Sequence, residues 1–150
     1  MTKLIVDSNI VFSAILNSNS RISQILLSGS TFYEFYAPHY LRDEIWEHKD
    51  KIKKIAGIKD DEFFEIYELV LKNITILNHS LVDKLTYEKA FELCEDIDVA
   101  DTIFVAFAKF LQCKLWTGDK KLIQGLQKKG FTKIITTENL FLIFLKKNMN

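Results

Sequence analysis

Apolar positions along this chain alternate between short solid runs and longer stretches of helical rhythm. Leu4-Ile5-Val6 is a solid run and reads as a buried first strand. Ser8 or Asn9 is placed to cap a helix through Leu16, and the polar cluster Asn17 to Ser20 ends it. Ile22 to Leu27 predicts a second helix, stopped near Gly29. The aromatic-rich run Phe32 to Ala37 predicts a strand that Pro38 ends. Leu41, Ile45, Ile52 and Ile55, with charged positions between them, predict one helix from Tyr40 to Ile55, closed by Gly57. Asp60 or Asp61 is the expected cap of a helix carrying Phe63, Phe64, Ile66, Tyr67, Val70 and Leu71.

Ile74 to Leu77 then predicts a short strand, and Thr86 caps a helix to about Glu95. Asp98 to Gln112 predicts a helix that is apolar on most sides and therefore central. Cys113 to Thr117 reads as a strand, and Lys120 to Lys129 as an amphipathic helix closed by Gly130. Lys133 to Thr136 is the last strand and Glu138 to Lys146 the last helix. The apolar run Phe141 to Leu145 exceeds what one helix face needs, and core docking is expected over a subunit contact. Strands alternate with helices, and no run of alternating polarity marks an antiparallel sheet. This order predicts an α/β fold, a three-layer α/β/α sandwich around a mostly parallel sheet, with residues 1–150 as a single domain.

Composition narrows the function classes. The hydrophobic fraction of 48% with 12 Phe supports a full core, and one Pro with five Gly argues against disorder. Net charge is zero, so a nucleic-acid partner cannot be read from charge alone. Cys94 and Cys113 lack metal-ligand spacing and read as reduced, buried thiols. Met1-Thr2-Lys3 leads into a run that meets Asp7 too soon for a signal peptide. Lys109 interrupts the best membrane candidate, Ile103 to Leu111, so the expected location is cytoplasmic.

The candidate chemistry is acidic. Asp7 and Asp119 each follow a predicted strand, where ligands of open parallel sheets bind. Each is also a natural helix cap. Asp98 and Asp101 are three apart at the head of the buried helix, so they share a face within its first turn. Glu44 lies on an early amphipathic helix, where periodicity does not separate it from Glu47. Converged carboxylates repel one another and call for a hard cation. His39, His48 and His79 are scattered without zinc-site spacing, and no Gly-rich phosphate loop or nucleophile elbow is present. Asp7-Ser8-Asn9 lacks the second Asp of a haloacid-dehalogenase-type phosphatase, and the acid spacing does not suit a receiver domain.

Asp7-Ser8-Asn9 after a first strand, Glu44 on an early helix, Asp98-Val99-Ala100-Asp101 before an Ala-containing helix, and Thr117-Gly118-Asp119 after a later strand resemble the PIN-domain nucleases. The resemblance runs from Leu4 to about Ile135. It maps the family's acids onto Asp7, Glu44, Asp101 and Asp119, with Asp98 as a further acid seen in one subgroup. Asp7, Asp101 and Asp119 are the implied metal ligands, with the third place open between Asp98 and Asp101. Ser8, Asn9 and Thr117 match polar positions that support the acids. The implied activity is a Mg²⁺- or Mn²⁺-dependent endoribonuclease. Small members of the family are often toxins of toxin–antitoxin pairs, which implies a small antitoxin partner and a homodimer.

Basic residues add little to an RNA path. Lys120 and Lys121 follow Asp119 directly, where they can meet a phosphate. Lys49, Lys51, Lys53 and Lys54 fit a solvated helix face better than a binding track. The rival reading is a PIN-like protein- or RNA-binding module with a weak or empty metal site.

Overall fold

The computed structural model describes residues 1–149. Five strands form one fully parallel sheet: β1 (Thr2–Val6), β2 (Tyr33–Pro38), β3 (Ile74–Leu77), β4 (Lys114–Trp116) and β5 (Ile134–Ile135). Their order across the sheet is β3-β2-β1-β4-β5. Leu4, Ile5 and Val6 are all buried, as a central strand covered on both faces requires. The chain first builds outward from β1 through β2 to β3, then returns to the other side of β1 with β4. The order therefore reverses between β1 and β4, and a crevice opens there at the carboxyl ends of the strands.

Nine α-helices cover the sheet among the described residues. On one side, α1 (Ser8–Leu16) packs against α2 (Arg21–Ser28), α3 (Tyr40–Glu47), α4 (Lys49–Ala56) and α5 (Asp60–Leu71), and α9 (Thr137–Asn148) joins through α2. On the other, α7 (Thr102–Leu111) lies against β1, β2 and β4, with α6 (Lys84–Cys94) outside it and α8 (Lys120–Lys128) beside α6. Residues 102 to 108 of α7 are all buried, which explains an apolar pattern with no polar face. The result is the expected three-layer α/β/α sandwich.

Local differences from the sequence expectation have identifiable causes. The helix expected from Tyr40 to Ile55 divides at His48, whose backbone leaves helical geometry. The bend lets α3 and α4 both reach α1, burying Ile45 and Ile52. The capping residue of α5 is Lys59 rather than Asp60 or Asp61, and its N–H donates to Glu62 Oε1 at 3.2 Å. Asp83, not Thr86, caps α6 by accepting the Thr86 N–H at 3.0 Å. The head of the buried helix is a 3₁₀ turn, Val99–Asp101, before α7 begins.

Core docking accounts for only part of the last helix. Leu140 and Phe144 are buried, while Leu142, Ile143 and Leu145 are exposed. No helix among the described residues is long and apolar enough to cross a membrane.

Candidate active site

Sheet register places the first acid. Val6 pairs with Trp116, so the next residues on β1 and β4, Asp7 and Thr117, emerge side by side. The Thr117 hydroxyl donates to Asp7 Oδ2 at 2.6 Å and accepts the Asp119 N–H at 3.1 Å. One buried threonine thus joins the segments that carry Asp7 and Asp119. Both acids also cap helices. Asp7 Oδ1 accepts the Ser8 N–H at 2.8 Å at the start of α1, and Asp119 Oδ1 accepts the Leu122 N–H at 3.1 Å in α8. Capping and convergence at the crevice coexist. Asp7 is only 3% exposed, and burial raises its carboxyl above the ordinary aspartate value. The hydrogen bonds from Thr117 and Ser8 oppose the rise, and the Asp119 charge adds to it.

Asp101 ends the 3₁₀ turn and points inward. Its Oδ2 is buried with no hydrogen-bond partner. Burial, then the charges of Asp7, Asp98, Asp119 and Glu44, push its carboxyl up to about 8. Four other carboxylates therefore act on this one, so the five acids share a neighbourhood. Asp98 is exposed at the rim, where its Oδ1 accepts the Ala100 N–H at 3.0 Å. Its two neighbouring roles thus separate: Asp98 caps the turn, and Asp101 enters the crevice.

Glu44 and Glu47 separate in the same way. Glu47 is exposed on α3, whereas Glu44 is partly buried and its Oε1 has no partner. Burial pushes the Glu44 carboxyl up to about 7, with the Ser8 hydroxyl opposing and Asp7, Asp98 and Glu47 adding charge. Asn9 adds another buried oxygen without a partner, its Oδ1. Lys120 and Lys121 are exposed in the first turn of α8. The lysines of α4 serve another purpose: Lys49 and Lys53 pair with Asp60 at 3.3 and 2.5 Å, tying α4 to α5. Tyr40, one turn before Glu44, has no sequence signal that marks it. Burial and then the charges of Glu44, Glu47, Asp98 and Asp101 raise its phenol above the ordinary value, so it borders the acids.

The donor set suits a hard divalent ion. It consists of oxygens, and orphaned buried atoms on Asp101, Glu44 and Asn9 lack the partners that buried polar groups normally have. Among the described residues, no three His, Cys, Asp or Glu side chains form a ready-made cage. Mg²⁺ does not require one, since it keeps several waters and takes only one or two carboxylates directly. The larger cavities, of about 460, 450 and 440 Å³, lie elsewhere, and none of the five acids lines them.

A family model for the PIN domain matches residues 5–140. The chain belongs to the PIN-domain family. The match takes in all five acids, and the family is one of nucleases, which is the activity class that membership supports. Among solved structures, the chain is similar to one described as VapBC2 from Rickettsia felis bound to a DNA fragment from their promoter. The likeness has a TM-score of 0.70 at 14% identity and covers 90% of this PIN-domain chain and 98% of the other. At that identity it speaks for the fold. A search of curated proteins found no match.

Proposed function

We propose that this PIN-domain protein is a metal-dependent endoribonuclease acting as the toxin of a toxin–antitoxin pair. The observation that carries the reading is the Asp7–Thr117–Asp119 link at the switch point of the sheet, facing unpartnered carboxylate oxygens on Asp101 and Glu44. A scaffold has no use for carboxylates that raise one another's proton affinity, whereas a divalent ion removes that repulsion. Asp7, Asp101 and Asp119 would hold Mg²⁺ or Mn²⁺. When bound, the ion supplies water activation near neutral pH and neutralises charge on a scissile phosphodiester.

The chain's own groups do the rest. Thr117 holds Asp7 in one rotamer and fixes the loop that carries Asp119. Ser8 braces Asp7 through its N–H, and Asn9 presents an unpartnered oxygen. Glu44, pushed up to about 7, can hold or release a proton at neutral pH. Asp98 adds negative charge at the rim, and Lys120 and Lys121 stand where a phosphate backbone would arrive. The exposed Leu142, Ile143 and Leu145 of α9 offer apolar surface for a second copy or for a small antitoxin.

The test begins with thermal stability of the pure protein in millimolar Mn²⁺ or Mg²⁺, beside Asp7→Asn and Asp119→Asn. The parent is expected to be stabilised and the variants far less. Incubation with a pool of single-stranded RNA then reads cleavage. No thermal shift would favour a binding module, and a shift without cleavage would remove the nuclease.

A further inference from the structure

A cavity of about 180 Å³ is lined by Tyr40, His79, Tyr87, Val99, Ala100 and Ile103. It adjoins the acids by covalent neighbourhood. Val99 and Ala100 lie between Asp98 and Asp101, and Tyr40 lies one helical turn before Glu44. The volume is well below the roughly 300 Å³ at which clefts for drug-sized ligands begin, so it suits one flat ring.

We propose that this cavity seats one unpaired nucleobase of the RNA, with the attached backbone reaching the acidic crevice. The proposal rests on the nuclease reading above and names how that site would hold its substrate.

Three features favour a base. First, the walls come from five separate segments (α3, the turn after β3, α6, the 3₁₀ turn Val99–Asp101 and α7), and half of the lining residues are aromatic rings. Single-stranded RNA is recognised through splayed bases stacked on such rings, whereas a base within a duplex cannot enter. Second, one wall is preorganised. The Tyr40 N–H donates to His79 Nε2 at 3.3 Å, joining α3 to the turn after β3, and the Tyr40 ring meets Phe104 edge-on at 6.5 Å. Tyr87 differs: it is 43% exposed and stacks on no aromatic ring among the described residues, so a π-face is available. Third, no Asp, Glu, Lys or Arg lines the cavity, although carboxylates stand beside it. That division suits a nucleotide, whose base is neutral and whose phosphate would lie with the cation. An aromatic side chain of a protein partner is the competing occupant.

The test uses the full chain with Mn²⁺ and single-stranded RNA of mixed sequence, with cut sites mapped. Tyr87→Ala is expected to raise KM on the order of 10-fold, from the loss of one stacked base, with kcat within about twofold. It is also expected to flatten base preference next to the cut. Tyr87→Trp retains a ring and should keep the parent KM and preference. An unchanged KM and cut pattern in Tyr87→Ala would overturn the proposal and leave the nuclease reading standing. If the parent cuts no RNA, the nuclease reading fails, and binding of a labelled single-stranded hexaribonucleotide decides the cavity. Weaker binding by Tyr87→Ala supports the base site, whereas equal binding, or none by the parent, overturns it.

Discussion

Thr117 and Asp7 stand 110 residues apart in the chain, yet the Thr117 hydroxyl donates to Asp7 Oδ2 at 2.6 Å. The bond exists because β1 and β4 are adjacent and in register, so their carboxyl ends deliver both residues to one point. It satisfies an oxygen of a carboxylate that is almost wholly buried. Thr117→Val keeps the shape and removes the hydroxyl. The expected loss is about 1–3 kcal/mol of stability, the range for a buried acceptor left without its donor. Urea denaturation measures it. Thr117→Ser, which keeps the hydroxyl, should lose much less, and equal losses in the two variants would show that the bond contributes little.

The raised carboxyls make a pH prediction with a definite sign. Asp101 and Glu44 titrate near 8 and 7 in the metal-free fold, above ordinary unfolded values near 4. Between those limits the unfolded chain has released protons that the folded protein still holds. The stabilising contribution of these groups is therefore full below about pH 4, declines progressively as pH rises, and is gone above about 7 to 8. Metal-free protein should lose stability over that interval. A divalent ion must displace the same protons, so the thermal shift caused by Mn²⁺ should grow from pH 6 to pH 8.5. A shift independent of pH would contradict the assignment.

Asp98 and Asp101 should behave differently although they lie on the same turn. Asp101→Asn removes a charge that four carboxylates disfavour. It is expected to raise the melting temperature of metal-free protein at pH 8.5 and abolish most of the response to Mn²⁺. Asp98→Asn removes an exposed charge but keeps an oxygen that can accept the Ala100 N–H, so it should leave most of that response intact at little cost in stability. Differential scanning fluorimetry with and without ion distinguishes the two. The reverse pattern would make Asp98 the inward ligand.

Gly125 provides a test of packing behind the acids. A Cβ placed there would lie 2.4 and 2.8 Å from Ile97 Cδ1 and Cγ1, just before Asp98. Alanine gains up to ~1 kcal/mol in helix propensity, but overpacking costs typically ~1–3 kcal/mol. Gly125→Ala is expected to lower the denaturation midpoint. Adding Ile97→Val, which removes the closest methyl, should recover part of the loss. Additive effects of the two substitutions would rule out the clash.

Much of this molecule was legible one segment at a time. The solid apolar run Leu4-Ile5-Val6 reads as a strand covered on both faces, the all-round apolar pattern of α7 reads as a central helix, and the structure has both. Asp7 and Asp119 stood at strand ends in the sequence itself. Periodicity could not place the His48 bend, because no Gly or Pro marks it and packing on α1 imposes it. It could not choose Glu44 over Glu47 or Asp101 over Asp98 either. Each pair is separated by about one helical turn, and only the surrounding walls determine which member is buried.

Local pattern thus determined the elements, their order and the list of acids, because chain stiffness and hydrophobic period act over a few residues. The tertiary structure alone decided which acids lose their water and share a crevice, and that a threonine on β4 would hold an aspartate on β1. Those outcomes depend on strand order and register, and desolvation and charge repulsion act through space, without regard to distance along the chain.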